Sequence, residues 1–185
     1  CAAPVFTTER AARELSWRLP GAETRLDALD FGIPQSIGEF AVTAFPTSHD
    51  APGSCGFRLD AAGGAVGVLT DTGYVTDEAA DILEGVDLAV LEANHDIETL
   101  RSGPYPYYLK QRILGAQGHL SNEDAARFAA VLAQSGTSEI ILAHLSRENN
   151  TPAMAQTAVE RALSAAGVSP LLSGGYQGLP GPSPQ

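Results

Sequence analysis

Short apolar runs, each about the length of a β-strand, recur through this chain and alternate in its second half with helical patterns. The run IGEFAVTAF at residues 37–45 alternates as a half-buried strand does, and two shorter apolar runs follow at residues 56–59 and 65–70. The runs DLAVLE at residues 87–92 and SEIILA at residues 138–143 are typical of fully buried strands. Strands first, and then strands alternating with helices, predict a layered α/β domain.

Helical patterns fill most of the intervals between these runs. Ser121 is followed three positions later by an acid, as in a capping box, and Thr151 with Pro152 gives an N-cap and an N1 proline. Helices are therefore predicted at residues 7–19, 76–83 and 105–114, and after Ser121 and Thr151. From residue 173 the sequence SGGYQGLPGPSPQ is rich in glycine and proline, which predicts a disordered tail over residues 173–185 and a single domain over residues 1–172.

Composition restricts the possible partners and setting. The chain has 185 residues, with 22 acidic against 11 basic residues and a formal charge of −11. It therefore repels nucleic acid and anionic membranes as a whole, and a phosphate-bearing substrate needs a local basic or metallic site. No apolar run approaches the roughly 18 residues of a membrane span. Two cysteines without paired spacing favour a reduced, cytoplasmic setting.

Four residues stand where an apolar run ends and a turn or helix begins: His49, Asp71, His119 and His144. Side chains that bind metals or transfer protons are often placed at such positions, because a rigid element ends there beside a cleft. Histidine and carboxylate together suit zinc or manganese, and a hydrolytic site leaves one metal position open for water. The sequence therefore predicts a metal site built from these ends.

Several other residues allow two interpretations. His95 follows a buried run and lies either near the cleft or in a structural hydrogen bond. Tyr105, Tyr107 and Tyr108 either stack on bases or pack a loop against the core, and the second is favoured. A cluster just after His144, comprising Ser146, Arg147 and Asn149, either holds a substrate phosphate or forms a turn that caps the last helix.

A longer pattern identifies a family. The string EANHDIETLRSGPYPYYLKQRILGAQGHLSNEDAARFAAVL, followed by ILAHLSRENNTP, resembles the YycJ (WalJ) group of metallo-β-lactamase-fold hydrolases over roughly residues 36–165. The resemblance implies a four-layer αβ/βα sandwich, in the α/β (α+β) class, with two divalent metal ions, Zn or Mn, at one edge. It implies a metal-dependent phosphodiesterase, specifically a 5′–3′ exonuclease with DNA as its substrate.

The resemblance also assigns roles to residues. It implies that His49, Asp71 and His144 are metal ligands, with Asp71 bridging the two ions. His119 matches a histidine that related nucleases place beside the scissile phosphate, where it protonates the leaving oxygen or stabilises the transition state. Glu92 matches a carboxylate that orients a site histidine, although an ordinary acid at a strand end is the competing interpretation.

The chain departs from the family pattern at one point. The family's H-x-H-x-D-H motif supplies most ligands of the first metal, and no H-x-H occurs in this sequence. We therefore expect residues 1–172 to be the C-terminal portion of a single domain that is incomplete at its N-terminus. Two alternatives stay open: a small-molecule hydrolase of the same fold, acting on a thioester, lactone or lactam, and a catalytically inert truncated chain.

Overall fold

A seven-stranded sheet organises the part of the protein that the structure, a computed structural model, describes, namely residues 3–19, 21 and 23–174. Its strands follow one another across the sheet in chain order. The first three pairings in this order are antiparallel, and the last three are parallel. They are β3 (Gln35–Ile37), β4 (Phe40–Pro46), β5 (Cys55–Ala61), β6 (Gly64–Leu69), β7 (Leu88–Glu92), β8 (Glu139–Ala143) and β9 (Leu171–Gly174). A separate parallel pair consists of β1 (Val5–Thr8) and β2 (Leu26–Leu29).

Helices make the connections between the parallel strands. One lies between β6 and β7, three lie between β7 and β8, and one lies between β8 and β9. In chain order the helices are α1 (Glu9–Arg18), α2 (Asp77–Leu83), α3 (Ile97–Ser102), α4 (Tyr107–Leu114), α5 (Asn122–Gln134) and α6 (Pro152–Ala166). Among these described helices, none has the length and apolar character that crossing a bilayer requires.

The starts of four predicted helices are set by hydroxyl side chains. Thr8, Thr76, Ser121 and Thr151 are the N-caps of α1, α2, α5 and α6, and each accepts a hydrogen bond from the backbone N–H three residues later. Each cap satisfies a donor that has no partner within its own helix. These local signals explain why the sequence pattern locates the beginnings of the helices well.

One apolar core joins the sheet to α2, α5 and α6. The side chains of Leu91 on β7 and Leu142 on β8 are almost wholly buried in it. Alanines such as Ala129 on α5 and Ala155 on α6 are fully buried there as well, and small side chains allow these two helices to pack closely together. This rigid core fixes the strand ends on which the site described below depends.

The structure corrects two boundaries of the sequence analysis. Residues 37–45 do not form one strand, because the chain turns at Gly38, whose φ of 63° favours glycine, and folds back as the β3–β4 hairpin. The predicted tail began at residue 173, yet Ser173 and Gly174 pair with β8 as part of β9. The rest of that predicted tail, residues 175–185, lies outside the described residues.

We predict that Leu142→Ala lowers the free energy of unfolding by about 2–5 kcal/mol, because it leaves a cavity in the buried centre of the sheet. Chemical denaturation checks the value. Leu171→Ala on the neighbouring strand is the matched control, since Leu171 is 65% exposed, and its cost should stay within about 0.5 kcal/mol. Equal losses in the two variants would contradict this description of the core.

Candidate metal centre

Four of the predicted site residues lie at the carboxyl ends of strands that run in the same direction. Asp71 follows β6, Glu92 ends β7 and His144 follows β8, three neighbouring parallel strands. His49 follows β4, which also runs in this direction because β5 lies antiparallel between it and β6. The ligand sites of α/β sheets commonly lie at this edge.

His119 reaches the same place from a loop rather than from a strand. It lies between α4 and α5, directly before the fully buried Leu120. Its ring centroid is 5.1 Å from that of His49 and 5.2 Å from that of His144. The structure therefore brings all of the predicted ligands and acid–base residues into one cluster, with His119 between the other two imidazoles.

The buried carboxylate of Glu92 orients two of these imidazoles. Its Oε1 accepts hydrogen bonds from Nδ1 of His119 at 2.8 Å and from Nδ1 of His144 at 2.7 Å. Its Oε2 accepts from the backbone N–H groups of Thr72 at 3.0 Å and Leu120 at 3.4 Å. With both Nδ1 atoms occupied, the Nε2 atoms of the two histidines are left available for a metal or a substrate.

These contacts shift two pKa values in opposite directions. Burial by itself raises the pKa of Glu92, but the hydrogen bonds from His119, His144 and the Thr72 backbone outweigh it and hold the pKa below its usual value. The hydrogen bond to Glu92 raises the pKa of His144 above its usual value, against the effect of burial. Below that raised pKa, a metal ion must displace a proton from His144, so acid weakens metal binding.

The ligand atoms themselves surround Asp71. Its Oδ1 is 3.7 Å from Nε2 of His49 and 3.8 Å from Nε2 of His144. Ligand atoms of His49, Asp71 and His119 all lie within 4.8 Å of one another. Imidazole nitrogen and carboxylate oxygen form a donor set that suits zinc or manganese, so the residues present fit a divalent metal site.

A second group of possible ligands comprises Glu92, His119 and His144. The Oε1 atom of Glu92 already accepts two imidazole hydrogen bonds, and its side chain is 0% exposed. We therefore interpret Glu92 as the support behind the metal site, with His119 and His144 facing the site through their Nε2 atoms. His119 is predicted from the sequence to be catalytic, and one of its ring nitrogens also lies within 4.8 Å of ligand atoms of His49 and Asp71.

The backbone is strained at two of the candidate ligands. Asp71 and His144 are the non-glycine residues with positive φ in the described part of the chain, at 54° and 55°. Such conformations are rare outside glycine and concentrate at functional sites, where surrounding contacts hold them. Asn94 contributes one such contact, because its side-chain amide donates to the carbonyl of His144 at 2.9 Å. Asn94 was not predicted as a site residue, because the sequence marks it only by its position two residues after Glu92.

Short contacts hold the loops of His49, Asp71 and His119 together. The Ser48 N–H donates to Oγ1 of Thr72 at 3.2 Å, and the Ser48 hydroxyl donates to the carbonyl of Ala116 at 2.6 Å. Gly73 donates its N–H to the carbonyl of Ser48 at 2.8 Å. A Cβ atom on Gly73 would lie 2.2 Å from the Ala116 carbonyl oxygen, so only glycine permits this approach of the two loops.

His49 has a charged neighbour that the sequence analysis did not identify. The guanidinium of Arg112 donates to both carboxylate oxygens of Asp50, at 2.6 and 3.0 Å, and lowers the pKa of Asp50. The Ala51 N–H donates to Nδ1 of His49 at 3.0 Å, which turns Nε2 toward Asp71. Metal binding through Nε2 would move the imidazole proton to Nδ1 and break the hydrogen bond from Ala51, and Oδ1 of Asp50, 3.5 Å away, would then be the nearby acceptor.

The three residues predicted to bind substrate differ in accessibility. Ser146 lines a cavity together with His49, His119 and His144, and Arg147 is exposed. Asn149 is 1% exposed, and its amide nitrogen lies 3.3 Å from the Ser146 hydroxyl, so its side chain holds the turn instead of facing a substrate. The cluster does form the turn that the competing interpretation expected, although the N-cap of α6 is Thr151.

His95 does not take the hydrogen-bonding role considered for it. Its side chain is 1% exposed, and neither ring nitrogen has a hydrogen-bond partner among the residues that the structure describes. Burial lowers the pKa of His95 to about 4, so the ring is neutral at physiological pH. It lies beside the site, in the wall of a larger cavity that also reaches His119.

Comparisons with known proteins agree with this fold. The chain matches the family described as a beta-lactamase superfamily domain over residues 2–145, and it belongs to that family. The metallo-beta-lactamase fold protein YhfI from Bacillus subtilis superposes with a TM-score of 0.69 at 19% identity, covering 95% of this chain and 63% of YhfI. The predicted metallo-β-lactamase-type fold is therefore confirmed.

Two curated proteins are similar in sequence. Exodeoxyribonuclease WalJ from Streptococcus pneumoniae is 42% identical over 137 residues, which are 74% of this chain and 51% of that protein. Exodeoxyribonuclease YycJ from Bacillus anthracis is 35% identical over 167 residues, which are 89% of this chain and 62% of that protein. The predicted resemblance to the YycJ (WalJ) group is confirmed, and the chain spans between about half and three fifths of the length of these relatives.

We predict that Glu92→Gln weakens zinc or manganese binding by about 10- to 100-fold, because the amide has no negative charge and its NH2 group cannot accept the hydrogen bonds that one carboxylate oxygen receives. Isothermal titration calorimetry of the metal-free protein at alkaline pH, where protons compete least for His144, gives the affinity. Glu139→Gln is the control, since it removes the same charge at the opposite end of β8. Unchanged affinity in the Glu92 variant would show that this carboxylate does not organise the centre.

Proposed function

We propose that the protein is a metal-dependent phosphodiesterase that degrades DNA as a 5′–3′ exonuclease and uses two divalent metal ions, zinc or manganese. One observation carries the proposal: a buried carboxylate aims two histidines toward an aspartate and a third histidine at the carboxyl edge of the sheet. The similarity to the exodeoxyribonucleases WalJ and YycJ supports DNA as the substrate. A cytoplasmic location suits this substrate. The small-molecule alternative has no comparable support.

In this proposal His49, Asp71 and His144 bind the metal ions. Bound divalent ions would lower the pKa of a water molecule toward about 7 and neutralise charge on the phosphate, which allows a strongly acidic protein to act on DNA. Oδ1 of Asp71 lies 3.7 Å from Nε2 of His49 and 3.8 Å from Nε2 of His144, so this carboxylate would hold metal together with either histidine. Arg112 and Asp50 support His49 from behind.

His119 donates a proton to the leaving oxygen. Its Nδ1 donates to Glu92 at 2.8 Å, so Nε2 is the atom that faces the substrate. The Glu92 carboxylate fixes the orientation of this imidazole, so that a proton can pass from Nε2 to the leaving oxygen. Glu92 is therefore a positioning residue, and His119 is the catalytic one.

Ser146 and Arg147 bind the phosphate backbone. Ser146 lies in the cavity that contains the three clustered histidines, and the exposed Arg147 provides a planar donor group next to it. Asn149 acts indirectly, because its buried side chain fixes the turn that presents both residues.

We predict that His119→Ala and Asp71→Ala each reduce cleavage of linear DNA by the full-length protein at least about 100-fold. The Asp71 variant should also lose bound metal, whereas the His119 variant should retain most of it, because His119 acts on the proton. Release of nucleotides from end-labelled DNA and metal analysis check the two effects.

Asp60→Asn provides the control for these variants. Asp60 pairs with Arg58 on β5, away from the clustered histidines, so its loss should leave cleavage unchanged. Wild-type-like cleavage by both the His119 and Asp71 variants would contradict the proposed roles.

A further inference from the structure

A stretch of the chain around helix α4 differs from the rest in charge and aromatic content. Residues 99–122 contain no acidic residue, although the chain carries 22. The same stretch holds three basic residues and three of the five tyrosines of the chain. Basic and aromatic residues interleaved in this way are typical of surfaces that bind single-stranded nucleic acid.

Helix α4 separates two cavities that meet at His119. The side chains of Tyr107, Lys110, Gln111 and Leu114, spaced as one face of a helix, line a cavity of about 600 Å³. The opposite face, with Leu109, Arg112 and Ile113, lines a cavity of about 310 Å³ that also contains Tyr105, His49 and His144. We call the first of these the α4 cavity. His119 lines both, so a ligand in the α4 cavity lies next to the candidate metal centre.

The tyrosines of α4 do not pack against the core. Tyr107 is 77% exposed and Tyr108 is 73% exposed, which contradicts the favoured sequence interpretation for these two residues. Tyr107 lines the α4 cavity. An exposed phenol ring at the mouth of a cavity offers a flat surface on which a nucleobase can stack.

The charges of the α4 cavity suit a phosphate chain. Lys110 donates to the carbonyl of Arg101 at 2.6 Å and forms no ion pair with any residue in the described ranges. Arg101 pairs at 3.1 Å only with Glu98, whose side chain is 82% exposed, so water weakens that pair. The one acid in the wall, Asp124, is hydrogen-bonded to Ser121 and to Arg127.

We propose that the α4 cavity binds unpaired nucleotides of a DNA strand next to the scissile phosphate, with Tyr107 stacking on a base and Lys110 and Arg101 contacting phosphates. The inference rests on the proposed function, which it deepens by naming the form of the substrate. An unpaired strand is required because a base inside a duplex has both faces covered by its neighbours and offers none to Tyr107. The volume of the cavity lies within the range typical of small-ligand sites.

Binding of a fluorescent single-stranded DNA oligonucleotide to the full-length protein, without added metal, tests this proposal. Tyr107→Ala should weaken binding about 5- to 100-fold, and Tyr107→Phe should restore it, because the ring face is what stacks. Trp17→Ala is the matched control, since Trp17 is an 82% exposed aromatic residue on α1, and it should bind as the wild type does. Lys110→Gln should reduce the salt dependence of binding by about 0.7 in log–log slope, whereas Arg13→Gln on α1 should not.

Kinetics separate this inference from the proposed function. Tyr107→Ala should raise KM for single-stranded DNA by the same 5- to 100-fold, and turnover of an abasic single strand, which has no base to stack, should be unchanged. Wild-type binding by the Tyr107→Ala variant, or equal loss with Trp17→Ala, would overturn the inference, as would equally tight binding of blunt duplex DNA. A wild-type protein that cleaves neither DNA nor the abasic strand would instead refute the proposed function.

Discussion

The pair of hydrogen bonds that Glu92 accepts from His119 and His144 is the interaction on which the site depends. A carboxylate taken out of water without partners is very costly, so its burial requires donors at both oxygens. Two imidazoles and two backbone N–H groups provide them. Glu92 is the last residue of β7, a strand in the interior of the sheet, so the sheet fixes its position. Its carboxylate in turn fixes the orientation of the two histidines.

The same arrangement explains why the strained positions persist. Asp71 and His144 both have positive φ at the ends of the strands that flank β7. Each unfavourable conformation costs of order 1–3 kcal/mol, and it is maintained because neighbouring groups fix the backbone on either side. The N–H of Thr72 bonds to Glu92, and the carbonyl of His144 accepts from Asn94. Backbone strain at the two ligands thus lowers the stability of the fold, and the hydrogen bonds around them offset this cost, as expected of a preorganised site.

Local patterns in the sequence were sufficient for much of the fold. The cap signals at Ser121 and Thr151 predicted helix starts correctly, because an N-cap acts on a donor three residues away. Strand β9 was missed, since its short polar–apolar sequence becomes a strand only by pairing with β8. The β3–β4 hairpin was missed because alternation continues through its turn at Gly38.

In the candidate site too, some features follow from local sequence patterns and others depend on contacts between distant residues. Histidine and aspartate at strand ends were visible in the sequence, because parallel strands bring their carboxyl ends together. The support of His49 by Asp50 and Arg112 joins residues 62 positions apart, and no local pattern indicates it. Asn149 was assigned from its residue type, but burial decided its role. The exposure of Tyr107 and Tyr108 also depends on how α4 lies between two cavities, which the sequence alone does not specify.

X-ray diffraction at the manganese or zinc absorption edge, on crystals of the full-length protein grown with that metal, tests the central claim most directly. We expect two anomalous peaks, one within about 2.0–2.3 Å of Nε2 of His49 and a carboxylate oxygen of Asp71, and one within the same distance of Asp71 and Nε2 of His144, with Glu92 behind the histidines and unbound. A metal bound directly to Glu92, or anomalous peaks only away from this strand edge, would contradict it.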